Sequence, residues 1–251
     1  MVGVEYFREW FHGYENQYAI IGGTACDLLM SDEGLDFRAT KDIDLVLIVE
    51  ALTPEFGKRF WEYIVQGGYE HRNKSTGLPQ FYRFSHPQNS GYPFMIELFT
   101  RRVDAIQLPE NAVLTPLPMD EDISSLSAIL LDDDYYELLC NGRTEVDGIT
   151  VLDVGYLILF KAKAWLDLSK RKAAGETVDS KNIRKHKNDI FRLSALLGQN
   201  TRIPVTPQVN QDLQAFMEAM KQETVDTKQL GLARTKDGIL EIFQNTYVLR
   251  K

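Results

Sequence analysis

The sequence predicts an α+β fold: an N-terminal mixed β-sheet flanked by helices, followed by a mostly helical C-terminal domain. Two observations support this prediction. Short apolar runs bounded by glycine, proline and polar turn residues characterise the first part of the chain. From Asp153 onward, apolar residues instead recur at helical spacing. We therefore expect two domains, residues 1–152 and residues 153–251.

Strands are expected where apolar runs of four to nine residues lie between turn signals. The clearest is the run at residues 43–49, which is apolar except for Asp44. The cluster Asn141-Gly142 predicts a hairpin turn. The expected strands are residues 18–21, 43–49, 80–85 and 94–100, and a hairpin formed by residues 135–140 and 144–152.

Helices are expected where apolar residues recur every three or four positions and capping residues precede them. Thr24 is expected to cap a helix that ends near Met30. Thr53 and Pro54 predict the start of another helix, which Gly67 and Gly68 should end. The remaining expected helices are residues 4–15, 154–174, 180–197, 207–223 and 236–246.

Composition excludes several classes of protein. The chain has 44% hydrophobic and 25% charged residues, as ordinary globular proteins have. Its N-terminus lacks the basic and apolar segments of a signal peptide, and no apolar run could span a bilayer. The two cysteines, Cys26 and Cys140, form no metal-binding motif and fit a reducing compartment. We expect a cytoplasmic protein without a membrane partner.

The net charge of −8 conceals a basic segment between residues 155 and 204. Such a segment can be the solvated face of a helix, or it can bind a polyanion such as RNA. The first interpretation is the more common one for charge alone. The residues expected to contact RNA phosphates under the second are Lys181, Arg184, Lys185 and Lys187.

The segment Asp42-Ile43-Asp44 lies at the head of the strand at residues 43–49. Side chains two residues apart on a strand project from the same face, so both carboxylates should point one way. Two adjacent carboxylates favour a divalent cation, and Mg²⁺ prefers carboxylates together with substrate phosphates. Two solvated acids are the alternative. Glycosyltransferases also use an Asp-x-Asp pair, so the pair does not define the reaction.

Two further features favour phosphate chemistry. Gly22, Gly23 and Thr24 lie between a predicted strand and a predicted helix, where a helix N-terminus can bind a triphosphate. Glu97 lies within an apolar strand, where a carboxylate needs a cation or another partner. If the two strands are adjacent, Glu97 joins Asp42 and Asp44 in a cluster that can hold two Mg²⁺ ions. Arg38, Thr40 and Lys41 could contact phosphates or simply confer solubility.

Lys161 lies on an apolar helical stripe, so its ammonium group should point inward toward an anion. Asp189 or nucleotide phosphates could supply that anion. Lys163 has Asp167 and Lys170 as helical neighbours and should be solvated. Asp189 itself could instead form a surface ion pair with Lys185 or Arg192.

The motifs GGT, RATKDIDLVLI and IELF together resemble the polymerase-beta-like nucleotidyltransferase superfamily. The chain is most similar to its AbiEii/AbiGii family of bacterial abortive-infection toxins, which also has a helical Lys and a later Asp. LILFKAKAW and KHKNDIFRL match these, at Lys161 and Asp189. The resemblance implies metal ligation by Asp42, Asp44 and Glu97, nucleotide binding by the GGT residues and Lys161, and a catalytic role for Asp189.

The resemblance also implies transfer of a nucleoside monophosphate from an NTP to tRNA or a protein hydroxyl, and a partner antitoxin. This sequence departs from the family's motif pattern in three ways. The third carboxylate is a Glu, Leu168 stands where the family has a basic residue, and the interval between Lys161 and Asp189 is long. The alternatives are an aminoglycoside-type, small-molecule nucleotidyltransferase and a nucleotide-binding protein without catalysis. The basic helical segment favours RNA over an aminoglycoside.

Overall fold

The structure is a computed structural model that describes residues 2–70, 83–101, 129–130 and 132–250. The chain divides into two compact units. The first comprises Met1–Ile123 and Arg143–Leu152, and the second comprises Ser124–Gly142 and Asp153–Lys251. The predicted division after residue 152 coincides with one of these boundaries. Residues 133–141, however, belong to the second unit.

The first unit contains a six-stranded mixed sheet, so the α+β class is confirmed. Its strand order is β3-β4-β2-β1-β6-β5. Strand β1 is antiparallel to β2 and parallel to β6, whereas β2 and β4 are parallel. Its elements are α1 (Val4–Trp10), β1 (Tyr18–Ile21), α2 (Gly22–Asp32), β2 (Asp42–Leu47), α3 (Pro54–Gly67), β3 (Arg83–Ser85), β4 (Met95–Phe99), β5 (Arg143–Val146) and β6 (Ile149–Leu152).

The ends of helix α3 are those that the sequence predicts. The Thr53 hydroxyl accepts a hydrogen bond from the Phe56 N–H, which caps the first turn. Pro54 occupies the first turn, where no N–H donor is needed. Gly68 ends the helix in the left-handed conformation, with φ of 64°.

Aromatic side chains fill the core beneath the sheet of the first unit. Phe7 and Phe11 of α1 pack against each other with ring centroids 4.5 Å apart, and both are fully buried. The Phe11 ring also packs against Tyr63 of α3, with ring centroids 5.3 Å apart. Helix α1 is shorter than the predicted residues 4–15, because the chain turns at Gly13 (φ 89°) and continues as a 3₁₀ turn at Glu15–Gln17.

The second unit is mainly helical. The predicted helices at residues 154–174, 180–197, 207–223 and 236–246 are confirmed with small changes at their ends. Two parallel three-residue strands, which are too short to show alternation, were not predicted. The elements are α4 (Asp133–Asn141), α5 (Val154–Ala173), α6 (Ser180–Leu193), β7 (Ile203–Val205), α7 (Pro207–Gln222), α8 (Lys236–Thr246) and β8 (Tyr247–Leu249).

The predicted hairpin around Asn141-Gly142 is wrong. Residues 135–140 lie in helix α4, where Asp132 caps the backbone N–H groups of Asp134 and Tyr135. Residues 143–152 form the hairpin by themselves, turning at Asp147 and Gly148 with φ of 49° and 74°. Positive φ at both positions is typical of a type I′ turn, for which Asp-Gly is a preferred pair.

Residues 80–82 of one predicted strand lie outside the described residues, and its remainder forms β3. Of the helices in the described residues, none is long and apolar enough to cross a membrane.

Candidate functional site

The two aspartates begin strand β2 and lie on one face of the sheet. Asp42 and Asp44 are half-buried, whereas the intervening Ile43 and the following Leu45 are fully buried. This alternation is the predicted one. Beyond Asp44 both faces of the strand become buried, since Val46 is also inaccessible. The carboxylates therefore occupy the more exposed end of an otherwise buried strand.

Gly22 lies directly against the Asp44 carboxylate. It follows Ile21, which pairs with Asp44 across the antiparallel ladder. Gly22 adopts φ of 70°, and a β-carbon at this position would lie 2.8 Å from Asp44 Cγ and still closer to Oδ2. Any side chain at Gly22 would therefore displace the carboxylate. The pairing of β1 with β2 thus brings the N-terminus of helix α2 against Asp44.

Gly23 also accommodates a close approach. A β-carbon there would lie 3.0 Å from Thr40 Oγ1 and 3.2 Å from Arg38 Nη2. The first turn of a helix offers backbone N–H groups and a partial positive charge to an anion. The guanidinium of Arg38 adds a cation beside that turn. Arg38 and Thr40, from the segment before β2, therefore lie at the predicted phosphate site.

The prediction that Thr24 caps helix α2 is wrong. The helix begins at Gly22, and Thr24 is fully buried in its first turn. Its hydroxyl donates a hydrogen bond to the backbone carbonyl of Asp42 at 2.5 Å. Thr24 therefore ties helix α2 to the start of β2 and positions the aspartates.

Glu97 lies beside Asp44, as the sequence argument required. Strands β2 and β4 are parallel, and Asp44 is in register with Glu97. Neighbouring residues in register project from the same face of a sheet, at a strand spacing of about 4.8 Å. The Glu97 carboxylate accepts hydrogen bonds from Nε and Nη2 of Arg83, at 2.9 and 2.7 Å. Arg83 was not anticipated, because the cross-strand register is invisible in the sequence.

The carboxylates partly fit a magnesium ion. Asp42 and Asp44 offer oxygen ligands on one face at an accessible strand end, and Mg²⁺ commonly takes one or two carboxylates plus substrate phosphates. In the arrangement described, Arg83 engages Glu97. Among the described residues, no group of three or more His, Cys, Asp or Glu side chains is placed to hold a metal ion. Two aspartates with substrate oxygens are the donor set that these residues offer.

Lys161 and Asp189 form an ion pair inside the second unit. Lys161 Nζ lies 2.9 Å from Asp189 Oδ2, and the side chains are 3% and 0% exposed. The predicted inward orientation of Lys161 is confirmed. Asp189 lies in the interior and not at the surface, because helix α6 turns it toward Lys161 of α5. A buried pair of this kind stabilises the packing of α5 on α6 only while both partners are present.

Lys163 is not simply solvated, contrary to the sequence-based expectation. Its ammonium group lies 2.8 Å from Asp212 and 5.7 Å from the centre of the Tyr135 ring. The Tyr135 hydroxyl donates to the same carboxylate at 3.1 Å. Burial, and then the charge of Asp212, raise the pKa of Tyr135, which keeps it a neutral donor. Lys163 therefore connects α5 to α7.

The predicted RNA-contacting residues fall into two groups. Lys181, Arg184 and Lys185 are exposed on helix α6. Lys187 is half-buried, and its ammonium group donates to Glu223 Oε2 at 2.6 Å and to the Thr224 carbonyl at 3.1 Å. Lys187 is thus engaged within the protein and is removed from the predicted set.

The structure gathers the predicted residues into two sets. The first unit brings together Gly22, Gly23, Asp42, Asp44 and Glu97, with Thr24 as a buried support. The second unit brings together Lys161 and Asp189. The sequence missed the Arg83 partner of Glu97 and the Asp212 partner of Lys163.

Comparison with known proteins gives no independent assignment: no protein-family model matches the chain, and no curated protein matches it.

The first prediction concerns the close approach at Gly22. Gly22→Ala should displace the Asp44 carboxylate and lower the free energy of unfolding by about 2 kcal/mol or more, because it combines backbone strain with overlap. Gly34→Ala is the matched control, since Gly34 has φ of 68° and no neighbouring atom within 4 Å of its would-be β-carbon. It should cost only about 1 kcal/mol. Chemical denaturation measures both, and equal losses would contradict the described packing.

The second prediction concerns the buried ion pair. Lys161→Met leaves the Asp189 carboxylate buried without this partner and should lower the free energy of unfolding by about 3–5 kcal/mol. The double variant Lys161→Met/Asp189→Leu removes both charges and should recover most of that loss. Denaturation of the single and double variants gives the coupling energy. Additive losses would show that the two residues do not act as a pair.

Proposed function

We propose that this protein is a magnesium-dependent nucleotidyltransferase of the polymerase-beta-like type, and that it transfers a nucleoside monophosphate from an NTP to an acceptor hydroxyl. One observation carries the proposal: the Asp42–Asp44 pair faces a glycine turn at the N-terminus of helix α2. Carboxylates for a metal and backbone donors for phosphates thus lie side by side. The sheet order, with β1 antiparallel to β2 and β4 parallel to β2, suits this assignment.

The charges around the turn suggest how a triphosphate would be held. The first turn of α2 and the Arg38 guanidinium beside Gly23 supply positive charge. Asp42 and Asp44 supply negative charge and would hold Mg²⁺. When bound, Mg²⁺ would neutralise phosphate charge and align the reacting oxygens. The chain's own contribution is therefore orientation: Gly22 and Gly23 admit the phosphates closely, and Thr24 holds the start of β2 in place.

The reaction itself is an in-line displacement. The acceptor oxygen forms a bond to the α-phosphorus while the bond to the bridging oxygen of the β-phosphate breaks, and pyrophosphate leaves. The acceptor hydroxyl loses its proton. Glu97 lies beside Asp44 on the adjacent strand and is oriented by Arg83, so we assign to it acceptance of that proton or support of the metal site.

Within this class we propose that the protein is an AbiEii-like enzyme. Its acceptor would be RNA, and tRNA in particular, and its partner would be an antitoxin. The exposed Lys181, Arg184 and Lys185 on helix α6 support an RNA acceptor. The antitoxin rests on the sequence resemblance.

A direct assay tests the reaction. The protein is incubated with each α-labelled NTP, Mg²⁺, total tRNA and cell extract, and the labelled product is identified. Asp42→Asn and Asp44→Asn should each reduce transfer by about two orders of magnitude or more, because each removes a metal ligand at nearly constant volume. Asp36→Asn is the control, since Asp36 is an exposed carboxylate in the segment before β2.

The label identifies the acceptor class. Labelled tRNA or protein supports the proposal, and a labelled small molecule would favour the aminoglycoside-type alternative. Full transfer in Asp44→Asn would overturn the catalytic assignment. An absence of labelled product with every NTP would favour a nucleotide-binding protein without catalysis.

The same assay decides whether the buried ion pair also serves catalysis. The sequence resemblance implies that Lys161 contacts the nucleotide, whereas its burial shows a structural contact with Asp189. In the double variant Lys161→Met/Asp189→Leu, we expect a folded protein whose transfer is reduced at least about tenfold. Transfer at the wild-type rate would limit both residues to a structural role.

RNA binding can be tested without catalysis. Total tRNA should bind with an affinity that falls as salt increases, because phosphate contacts release counterions. Lys181→Glu/Arg184→Glu should weaken binding and reduce the slope of log affinity against log salt by about 1.5. Lys228→Glu/Arg234→Glu is the control: it changes the net charge equally at exposed positions of the same unit. Equal effects of the two pairs would contradict a specific RNA surface on α6.

A further inference from the structure

A row of charged side chains crosses three strands of the first unit, on the sheet face that carries the aspartates. Asp44 of β2 is in register with Glu97 of β4, and Glu97 is in register with Arg83 of β3. Residues in register on neighbouring strands project from the same face of a sheet. Because β4 lies between β2 and β3, Arg83 stands on the side of Glu97 that is away from Asp44.

The Arg83 guanidinium engages one oxygen of the Glu97 carboxylate. Its Nε and Nη2 both donate to Oε1, at 2.9 and 2.7 Å. Charge-assisted hydrogen bonds from a guanidinium to a carboxylate are among the strongest in proteins, and the Glu97 side chain is only 13% exposed. Within the described part of the chain, no donor reaches the other oxygen, Oε2. Arg83 therefore orients the carboxylate through Oε1 and leaves Oε2 open.

The charges of this row favour a single divalent cation. The carboxylates of Asp42, Asp44 and Glu97 together with the guanidinium of Arg83 leave two negative charges, which one Mg²⁺ neutralises. Mg²⁺ loses its water reluctantly and commonly takes one or two carboxylates together with substrate phosphates. The described residues contain no group of three His, Cys, Asp or Glu side chains placed to hold a metal ion, which agrees with a Glu97 carboxylate held apart from the aspartates.

We propose that Arg83 is a positioning residue that keeps Glu97 out of the metal coordination, so that Asp42 and Asp44 hold one Mg²⁺. Glu97 is then left for the proton: the O–H bond of the acceptor hydroxyl breaks, and its proton passes to Oε2. The inference rests on the proposed function and decides between the two roles assigned to Glu97 there.

Binding of Mn²⁺ alone, measured by electron paramagnetic resonance, tests this role without catalysis. The wild-type protein should bind one Mn²⁺. Arg83→Gln should tighten binding by about tenfold, because it releases the Glu97 carboxylate to the cation. Arg83→Gln/Glu97→Gln removes one charge of each sign and should return to within about twofold of the wild-type affinity, because neither residue is a ligand. Asp44→Asn should weaken binding by about tenfold or more, because a ligand is lost.

The transfer assay supplies the second readout. Arg83→Gln/Glu97→Gln should transfer about a hundredfold more slowly than wild type although its Mn²⁺ affinity is unchanged, because the proton acceptor is lost. Arg83→Lys should stay near the wild-type Mn²⁺ affinity, since an ammonium group can also engage Oε1. Lys58→Gln is the control for charge alone. It removes one positive charge from an exposed position on α3 and should change neither quantity.

Loss of Mn²⁺ binding in Arg83→Gln/Glu97→Gln would identify Glu97 as a metal ligand, which overturns the inference and leaves the proposed function standing. Wild-type affinity in Arg83→Gln would also overturn it, since the arginine would then not restrain Glu97. Transfer by the double variant at the wild-type rate would remove the proton from Glu97. A wild-type protein that neither binds Mn²⁺ nor transfers a nucleotide would count against the proposed function itself. A thermal unfolding curve for each variant establishes that it is folded.

Discussion

The candidate site depends on the contact between Gly22, which has no side chain, and the Asp44 carboxylate. Gly22 follows Ile21, the last residue of strand β1, which pairs with Asp44 of β2, and the Asp44 carboxylate occupies the space that a β-carbon of Gly22 would need. Because the backbone there has positive φ, glycine relieves both the strain and the overlap. Helix α2 can therefore start directly beside a carboxylate, which brings helix N–H groups and metal-type ligands to one place.

The surrounding groups stabilise that contact from the interior. Thr24 is buried in the first turn of α2 and donates a hydrogen bond to the Asp42 carbonyl, so the helix and the strand cannot separate without breaking this bond. On the other side of β2, the parallel register with β4 sets Glu97 beside Asp44, and Arg83 offsets its charge. The Arg83 guanidinium thus reduces the repulsion between Glu97 and the neighbouring Asp44.

In the second unit, lysine side chains form ion pairs with carboxylates. Lys161 and Asp189 neutralise each other in the interior, whereas Lys163 and Lys187 reach Asp212 and Glu223 from less buried positions. The pairs of Lys161 and Lys163 each join two helices, and that of Lys187 joins α6 to the residue that follows α7. Within the basic segment of the sequence these lysines serve helix packing, whereas Lys181, Arg184 and Lys185 are exposed on α6.

The sequence by itself determined the features that depend on local chemistry. The alternation along β2, the Thr53 cap of α3 and the apolar stripe around Lys161 each involve residues a few positions apart, so their spacing was sufficient. Competition between local signals was harder to judge. At residues 135–140 the Asp132 cap and the helical spacing of buried side chains prevailed over the Asn141-Gly142 turn signal.

Only the tertiary structure decided which distant residues meet. The contact of Gly22 with Asp44 follows from the register of β1 and β2, and the Arg83 partner of Glu97 follows from the register of β3 and β4. Register between strands is set by the packing of the whole sheet, because a shift of one residue would turn every buried side chain outward. The sequence therefore predicted which residue types belong to the site, but it did not predict which distant residues contact them.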